Sequence, residues 1–116
     1  MKGYIQVVTT TSTKEEAQRI AEVLLEKRLS ACVQILGPME STYWWEGKRE
    51  RAEEWLCLIK TRDDLYPQVE ETIRKVHPYE VPEIIALPIT AGYRGYLRWM
   101  EGELKGGQTV VNHLRM

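Results

Sequence analysis

Ala31-Cys32-Val33-Gln34-Ile35-Leu36 and Trp55-Leu56-Cys57-Leu58-Ile59 are two apolar, strand-forming runs. Between them lie Gly37-Pro38, the run Ser41-Thr42-Tyr43-Trp44-Trp45 and the turn signal Glu46-Gly47-Lys48. β-Branched and aromatic residues on both sides of a glycine turn predict a long hairpin. One arm runs from Ala31 to Trp45 and the other from Arg49 to Arg62. The Gly-Pro pair predicts a bulge or bend in the first arm, because proline offers no ladder N–H and glycine packs no side chain.

The flanks of the hairpin read as two βα units. Upstream, Tyr4-Ile5-Gln6-Val7-Val8-Thr9-Thr10 predicts a strand. Ser12-Thr13-Lys14-Glu15 has the spacing of a capping box, which predicts a helix start there. Ala17, Ile20, Ala21, Leu24 and Arg28 then recur at helical spacing, taking the helix to about Leu29. Downstream, Asp63-Asp64 predicts an N-cap, with Pro67 tolerated in the first turn. Tyr66, Val69, Ile73 and Val76 form the apolar stripe and Pro78 stops the helix. Pro82 to Ile89 predicts a fourth strand, confined by its prolines to an edge or a short central stretch. A third helix is expected from Tyr96 to about Lys105, and Thr109-Val110-Val111 offers a short last strand.

The order β-α-β-β-α-β plus a C-terminal helix predicts an α+β, ferredoxin-like sandwich over one domain, residues 1–116. Its antiparallel sheet would run 4-1-3-2 with both main helices on one face. The other face, with Tyr43, Trp44, Trp45, Trp55 and Leu56 on the hairpin, then needs a cover. A homo-oligomer is the simplest one.

Lys plus Arg number 16 and Asp plus Glu 17, a net charge of −1. That balance argues against nucleic acid as the main partner. No apolar run approaches the roughly 18 residues of a membrane helix, and the first residues do not read as a signal peptide. A cytoplasmic location is therefore expected, with Cys32 and Cys57 as free thiols.

The candidate chemistry is sparse. No CxxC, HxH or HxxxH spacing occurs. A hairpin turn near Gly47 sets Cys57 opposite about residue 37, five residues or about 17 Å from Cys32. The two cysteines should then share neither a disulfide nor a metal. Cys57 reads as core. His77, just before Pro78, reads as a helix C-cap whose imidazole meets the last carbonyls. The sharper reading makes His77 a ligand for Cu(II) or Zn(II), with Glu80 or Glu83 beside it. Glu50, Glu53 and Glu54 read as a solvated edge, and no nucleophile stands beside a base. Thr9-Thr10-Thr11-Ser12 after the first strand carries neither the CxxC of a metal-transfer domain nor the arginine of an acylphosphatase.

Five ordered pieces nevertheless resemble one family. They are Glu26-Lys27-Arg28-Leu29-Ser30-Ala31-Cys32, Tyr43-Trp44-Trp45-Glu46-Gly47, Lys60-Thr61, the HPYxxPE motif His77-Pro78-Tyr79-Glu80-Val81-Pro82-Glu83, and Tyr96-Leu97-Arg98-Trp99. Together they resemble the CutA divalent-cation tolerance family from about residue 4 to 105. The resemblance implies a trimer assembled through the hairpins, similar to the PII signalling proteins. It also implies a cytoplasmic role in tolerance of copper and other divalent metals, with no catalytic reaction attached. The family's copper-site pattern has an early Cys and a His-His pair. Thr9 and Val76 occupy those positions here, leaving His77.

Two functions follow as expectations. One is a non-enzymatic homotrimer that binds a divalent metal weakly and takes part in metal homeostasis. The other is a PII-like regulator holding a small metabolite or anion at the subunit interface, lined by Cys32, Trp45, Lys60, Tyr79, Glu83 and Trp99. Lys60 and Glu83 are expected to meet across a subunit boundary rather than within one chain.

Overall fold

The structure, a computed structural model, describes residues 3–107. In chain order its elements are β1 (Tyr4–Thr11), α1 (Lys14–Glu26), β2 (Cys32–Trp45), β3 (Lys48–Arg62), a 3₁₀ turn (Asp63–Leu65), α2 (Tyr66–Val76), β4 (Ile84–Ile89) and α3 (Arg94–Glu103). The four strands form one antiparallel sheet in the order β2-β3-β1-β4, as expected for a ferredoxin-like sandwich. The expected strand over Thr109–Val111 lies outside the described residues.

Strand periodicity builds the core. Ile5, Val7 and Thr9 of β1 point to the same face as Cys57, Ile59 and Thr61 of β3 and are all buried there. Ala17, Ile20 and Leu24 of α1 and Val69 and Ile73 of α2 close over that face. Met100 of α3 and Leu104, the residue just after it, complete the cluster. Cys57 is core, as its setting in the sequence implied.

Several boundaries differ from the sequence reading for local reasons. The α1 cap is Thr13, one residue later than expected: its hydroxyl accepts the Glu16 N–H at 3.1 Å. Glu16 then reaches back to the backbone N–H of Ser12 at 3.1 Å. The helix ends at Glu26 rather than near Leu29, because Arg28 sits at φ 58. Leu29 N–H donates to Leu24 O and Arg28 N–H to Leu25 O, the paired bonds of a Schellman stop. Arg28 reads as helical by spacing alone; it is the terminator. Asp63-Asp64 form the 3₁₀ turn instead of capping α2, with Asp63 accepting the Gly3 N–H at 3.0 Å. Leu65 precedes α2, and Pro67 lies in its first turn.

The hairpin is continuous through a bulge between Leu36 and Met39, where the Gly37–Pro38 bond is cis. A Cβ on Gly37 would lie 2.7 Å from the Trp55 ring, so the bulge packs only with glycine. At the tip, Glu46 and Gly47 both have positive φ, as a two-residue turn between twisted strands requires. The bulge changes the register. Cys57 faces Ile35 rather than residue 37, which leaves three residues, about 10 Å, between it and Cys32. Alternation also sends the two thiols to opposite faces. Both are free thiols.

At the far end of the sheet Arg62 is 3% exposed. It pairs with Asp64 and with Glu101 (3.0 Å) and donates to the Lys105 carbonyl at 2.8 Å. The Tyr4 hydroxyl donates to the other Glu101 oxygen at 2.9 Å, so one network ties β1, β3 and α3 together. Arg62→Met should therefore cost about 3–5 kcal/mol in urea unfolding, since Glu101 is left without its cation. A loss under about 1 kcal/mol would show the network to be dispensable.

Burial pushes the Cys57 thiol up from 9.0 to about 11. In the unfolded chain that thiol ionises earlier, so the stability carried by the neutral form is complete below pH 9 and is lost as pH rises through about 11. Wild type should lose up to roughly 2–3 kcal/mol more than Cys57→Ala across that interval in denaturant titrations. Parallel curves for the two proteins would count against it.

Candidate functional site

β1 pairs with β3 only from Trp55 to Arg62, so residues 48–54 of β3 overhang the sheet with β2 as their single partner among the described residues. Under this ribbon passes the segment between α2 and β4. A cleft of about 750 Å³ lies between the two. Ser41, Tyr43, Trp45, Glu50 and Glu54 line the hairpin wall, and Tyr79, Glu80, Val81 and Glu83 line the other. Thr10 closes the floor.

The second wall is pinned by His77. As the residue after α2 it carries a backbone N–H that donates to Ile73 O at 2.8 Å. Its ring leaves the helix altogether. Nδ1 accepts the Tyr79 N–H at 3.1 Å, which puts the ring proton on Nε2, and Nε2 donates to the Thr10 carbonyl at 2.7 Å. The imidazole thus fastens the α2–β4 segment to the central strand rather than meeting the last helix carbonyls, as the sequence had suggested. A metal on His77 would have to displace one of these two bonds.

Tyr79 crosses the cleft floor. Its hydroxyl donates to Glu54 Oε2 at 2.8 Å and its ring packs edge-on against His77, 4.7 Å between centroids. Burial first, and then the Glu54 carboxylate, hold the Tyr79 phenol well above its ordinary range. Glu54 is 7% exposed, so the expectation that Glu50, Glu53 and Glu54 form a solvated edge fails for Glu54. Alternation explains it: Glu53 and Glu54 lie on opposite faces, and only Glu54 turns under the ribbon.

The expected site residues divide into two groups. Trp45, Tyr79 and Glu83 line the cleft and His77 supports it. Cys32, Lys60 and Trp99 belong to the other end of the sheet. Lys60 is opposite Cys32 in register and donates to Gln34 Oε1. Tyr96 bonds to Cys32 and stacks on Trp99 at 5.5 Å. Thr10 pairs with Leu56, four residues or about 13 Å along β3 from Lys60. Lys60 and Glu83 form no ion pair among the described residues. Thr9, at the position of the family's early cysteine, is buried beneath the sheet, and its hydroxyl finds no partner among the described residues. Tyr43, Glu50 and Glu54 also line the cleft, although Tyr43 reads in the sequence as part of the uncovered hairpin face and the two glutamates as a solvated edge; the alternating pattern around Trp45 is the available signal.

No cluster of three or more His, Cys, Asp or Glu side chains converges to hold an ion among the described residues. No described helix is long and apolar enough to cross a membrane.

Residues 5–103 match the family model of the CutA1 divalent ion tolerance protein. The divalent-cation tolerance protein CutA of Thermus thermophilus is 44% identical over 94 residues, 81% of this chain and 91% of that protein. A solved structure from the same organism superposes with a TM-score of 0.86 at 40% identity, covering 88% of this chain and 99% of the other. The chloroplastic protein CutA 1 of Oryza sativa is 42% identical over 101 residues, 87% of this chain, which spans only 57% of that relative's length. A structure from Archaeoglobus fulgidus, described as a periplasmic divalent cation tolerance protein, has a TM-score of 0.83 at 40% identity, covering 90% of this chain and all of the other. With the match running from β1 through α3 and the hairpin, HPYxxPE segment and sheet order all in place, the chain belongs to the CutA1 divalent ion tolerance protein family.

Proposed function

We propose that this chain acts in divalent-cation tolerance as a cytoplasmic homotrimer without catalytic activity, binding ions such as Cu(II) or Zn(II) weakly. The observation that carries the reading is the cleft. Glu50, Glu54, Glu80 and Glu83 line it, and among the described residues no lysine, arginine or histidine does. Such a site attracts cations, yet its oxygens do not converge as a tight site demands. His77 would add a nitrogen ligand only by giving up its bond to the Thr10 carbonyl or to the Tyr79 N–H. Weak binding follows from both facts. The relatives' names point the same way, as divalent-cation tolerance proteins.

Assembly is supported by what one chain leaves bare. Trp44 is 71% and Leu36 62% exposed on the hairpin, and Ile85 and Leu87 stand half-exposed on β4. A two-stranded ribbon alone is marginal in water, so a cover by other copies is the economical solution. A second reading, a PII-like regulator with a small ligand at the subunit interface, is favoured by the cleft's size and aromatic wall.

Light scattering on a sizing column should return about three times the 13.6 kDa chain mass at micromolar concentration. A single-chain mass across dilutions would overturn the trimer. Calorimetric titration with CuCl2 should give micromolar or weaker binding, weakened further in Glu83→Gln and His77→Ala. Nanomolar affinity, or identical binding by both variants, would overturn the proposed site.

A further inference from the structure

A groove of about 320 Å³ opens on the helix layer, on the side of the sheet away from the bare face that other copies would cover. Three lysines from three parts of the chain line it: Lys27 just after α1, Lys75 in the last turn of α2 and Lys105 after α3. Glu71 is the one acidic side chain among the described residues of its lining. The groove thus carries two net positive charges on a chain whose total is −1.

The stems of two of these lysines are held in place. The Lys105 N–H donates to the Arg28 carbonyl at 2.7 Å, and the Lys105 carbonyl accepts from Arg62 at 2.8 Å. The Lys27 N–H closes α1 on the Val23 carbonyl at 3.2 Å. The ammonium groups, in contrast, are poorly answered. Lys75 stands 3.8 Å from Glu71, longer than a good charge-assisted bond, and Lys105 donates to the neutral Gln68 Oε1 at 3.3 Å. Lys27 makes no side-chain hydrogen bond or ion pair among the described residues. A lysine at a helix end ordinarily serves the last carbonyls. At the end of α1 the carbonyls of Val23, Leu24 and Leu25 already accept backbone N–H groups, so the Lys27 ammonium is not needed there.

The floor adds a neutral donor. Thr72 is 7% exposed, lines the groove, and its hydroxyl makes no hydrogen bond among the described residues. It lies four residues from Gln68 and three from Lys75 on α2, about 6 Å and 4.5 Å along the axis. Because the Lys105 ammonium sits at Gln68, the hydroxyl falls between two cations roughly 10 Å apart. That spacing favours a long anion over a compact one. Lysine meets phosphate as a point charge, without the planar fork that suits a carboxylate. No aromatic ring lines the groove among the described residues, so nothing there stacks on a base.

We propose that this groove binds a linear oligophosphate, with its middle phosphate on the Thr72 hydroxyl and its ends on Lys75 and Lys105, and Lys27 facing it across the groove. The site is separate from the cleft and from the surfaces of assembly. A free phosphate chain and the tail of a nucleotide share this chemistry; the lining reads the chain alone.

Isothermal titration of the full chain with sodium tripolyphosphate, in metal-free buffer at fixed ionic strength, tests it. Tripolyphosphate should bind at least tenfold more tightly than orthophosphate, and CTP no more tightly than tripolyphosphate. Thr72→Val keeps the side-chain shape, removes the hydroxyl and should weaken binding about fivefold. Lys27→Gln and Lys105→Gln, both at exposed positions, should each weaken it about threefold. Glu71→Gln releases Lys75 and should strengthen it about twofold. Arg19→Gln removes the same charge from α1 outside the groove and should change nothing. Absence of tripolyphosphate binding, equal affinity for orthophosphate, or a loss in Arg19→Gln as large as in Lys105→Gln would overturn the proposal. So would unchanged affinity in Thr72→Val, or tighter binding of CTP, since the base would then be what is read. Copper titration and light scattering on the same samples report on the cleft and the trimer separately, and neither outcome bears on this groove.

Discussion

The mismatch in strand length between β1 and β3 governs this molecule. β1 has eight residues and β3 fifteen, so the sheet is four strands wide at one end and two at the other. Where β1 accompanies β3, the helices cover one face and a conventional core forms. Beyond Trp55 the ribbon continues with no third strand beside it among the described residues. Its aromatic residues cannot be absorbed by the core, because the core ends before they begin. The exposed tryptophans and the cleft under the overhang are therefore two results of one geometric fact. The radius of gyration, 15.5 Å, registers the same fact against about 13 Å for a compact chain of this length.

The polar interactions cluster at the two ends of the sheet. At the four-stranded end, Arg62 gathers Asp64, Glu101 and the Lys105 carbonyl, and a fully buried cation is answered on every side. At the cleft end the chain His77, Tyr79, Glu54 stops at a carboxylate oxygen without a cation among the described residues. The two ends thus differ in how their charge is balanced, by ion pairs at the first and by a neutral hydroxyl at the second.

Much of this was legible in the sequence, and for identifiable reasons. The hairpin, the bulge at Gly37-Pro38 and the sheet order follow from period-two apolar runs and turn residues, which act locally. The ends of α1 were harder to place. Ser12 and Thr13 are equivalent as caps by composition, and Arg28 has no side-chain feature that announces a positive φ; tertiary contact decides both. Glu103 pairs with the Arg28 side chain at 2.7 Å, and the Lys105 N–H donates to its carbonyl at the same distance, neither visible in a local window. In the cleft, Tyr79 and Glu83 stood out through a motif, whereas Glu54 was hidden among like-charged neighbours. Strand alternation identifies which of two adjacent glutamates turns inward only after the bulge has fixed the register.

The attachment of His77 to the Thr10 carbonyl has a mechanical side. Thr10 belongs to a central strand, hydrogen-bonded on one side to β3 and flanked on the other by β4, and is itself buried. The wall that carries Tyr79 therefore inherits the stiffness of the core. The facing wall, with Tyr43 and Trp45, rides on a ribbon held by one ladder of bonds. The cleft works as a vise with one fixed jaw and one that flexes. A partner that packed on the hairpin would therefore fix the one jaw that the chain's own core leaves unsupported.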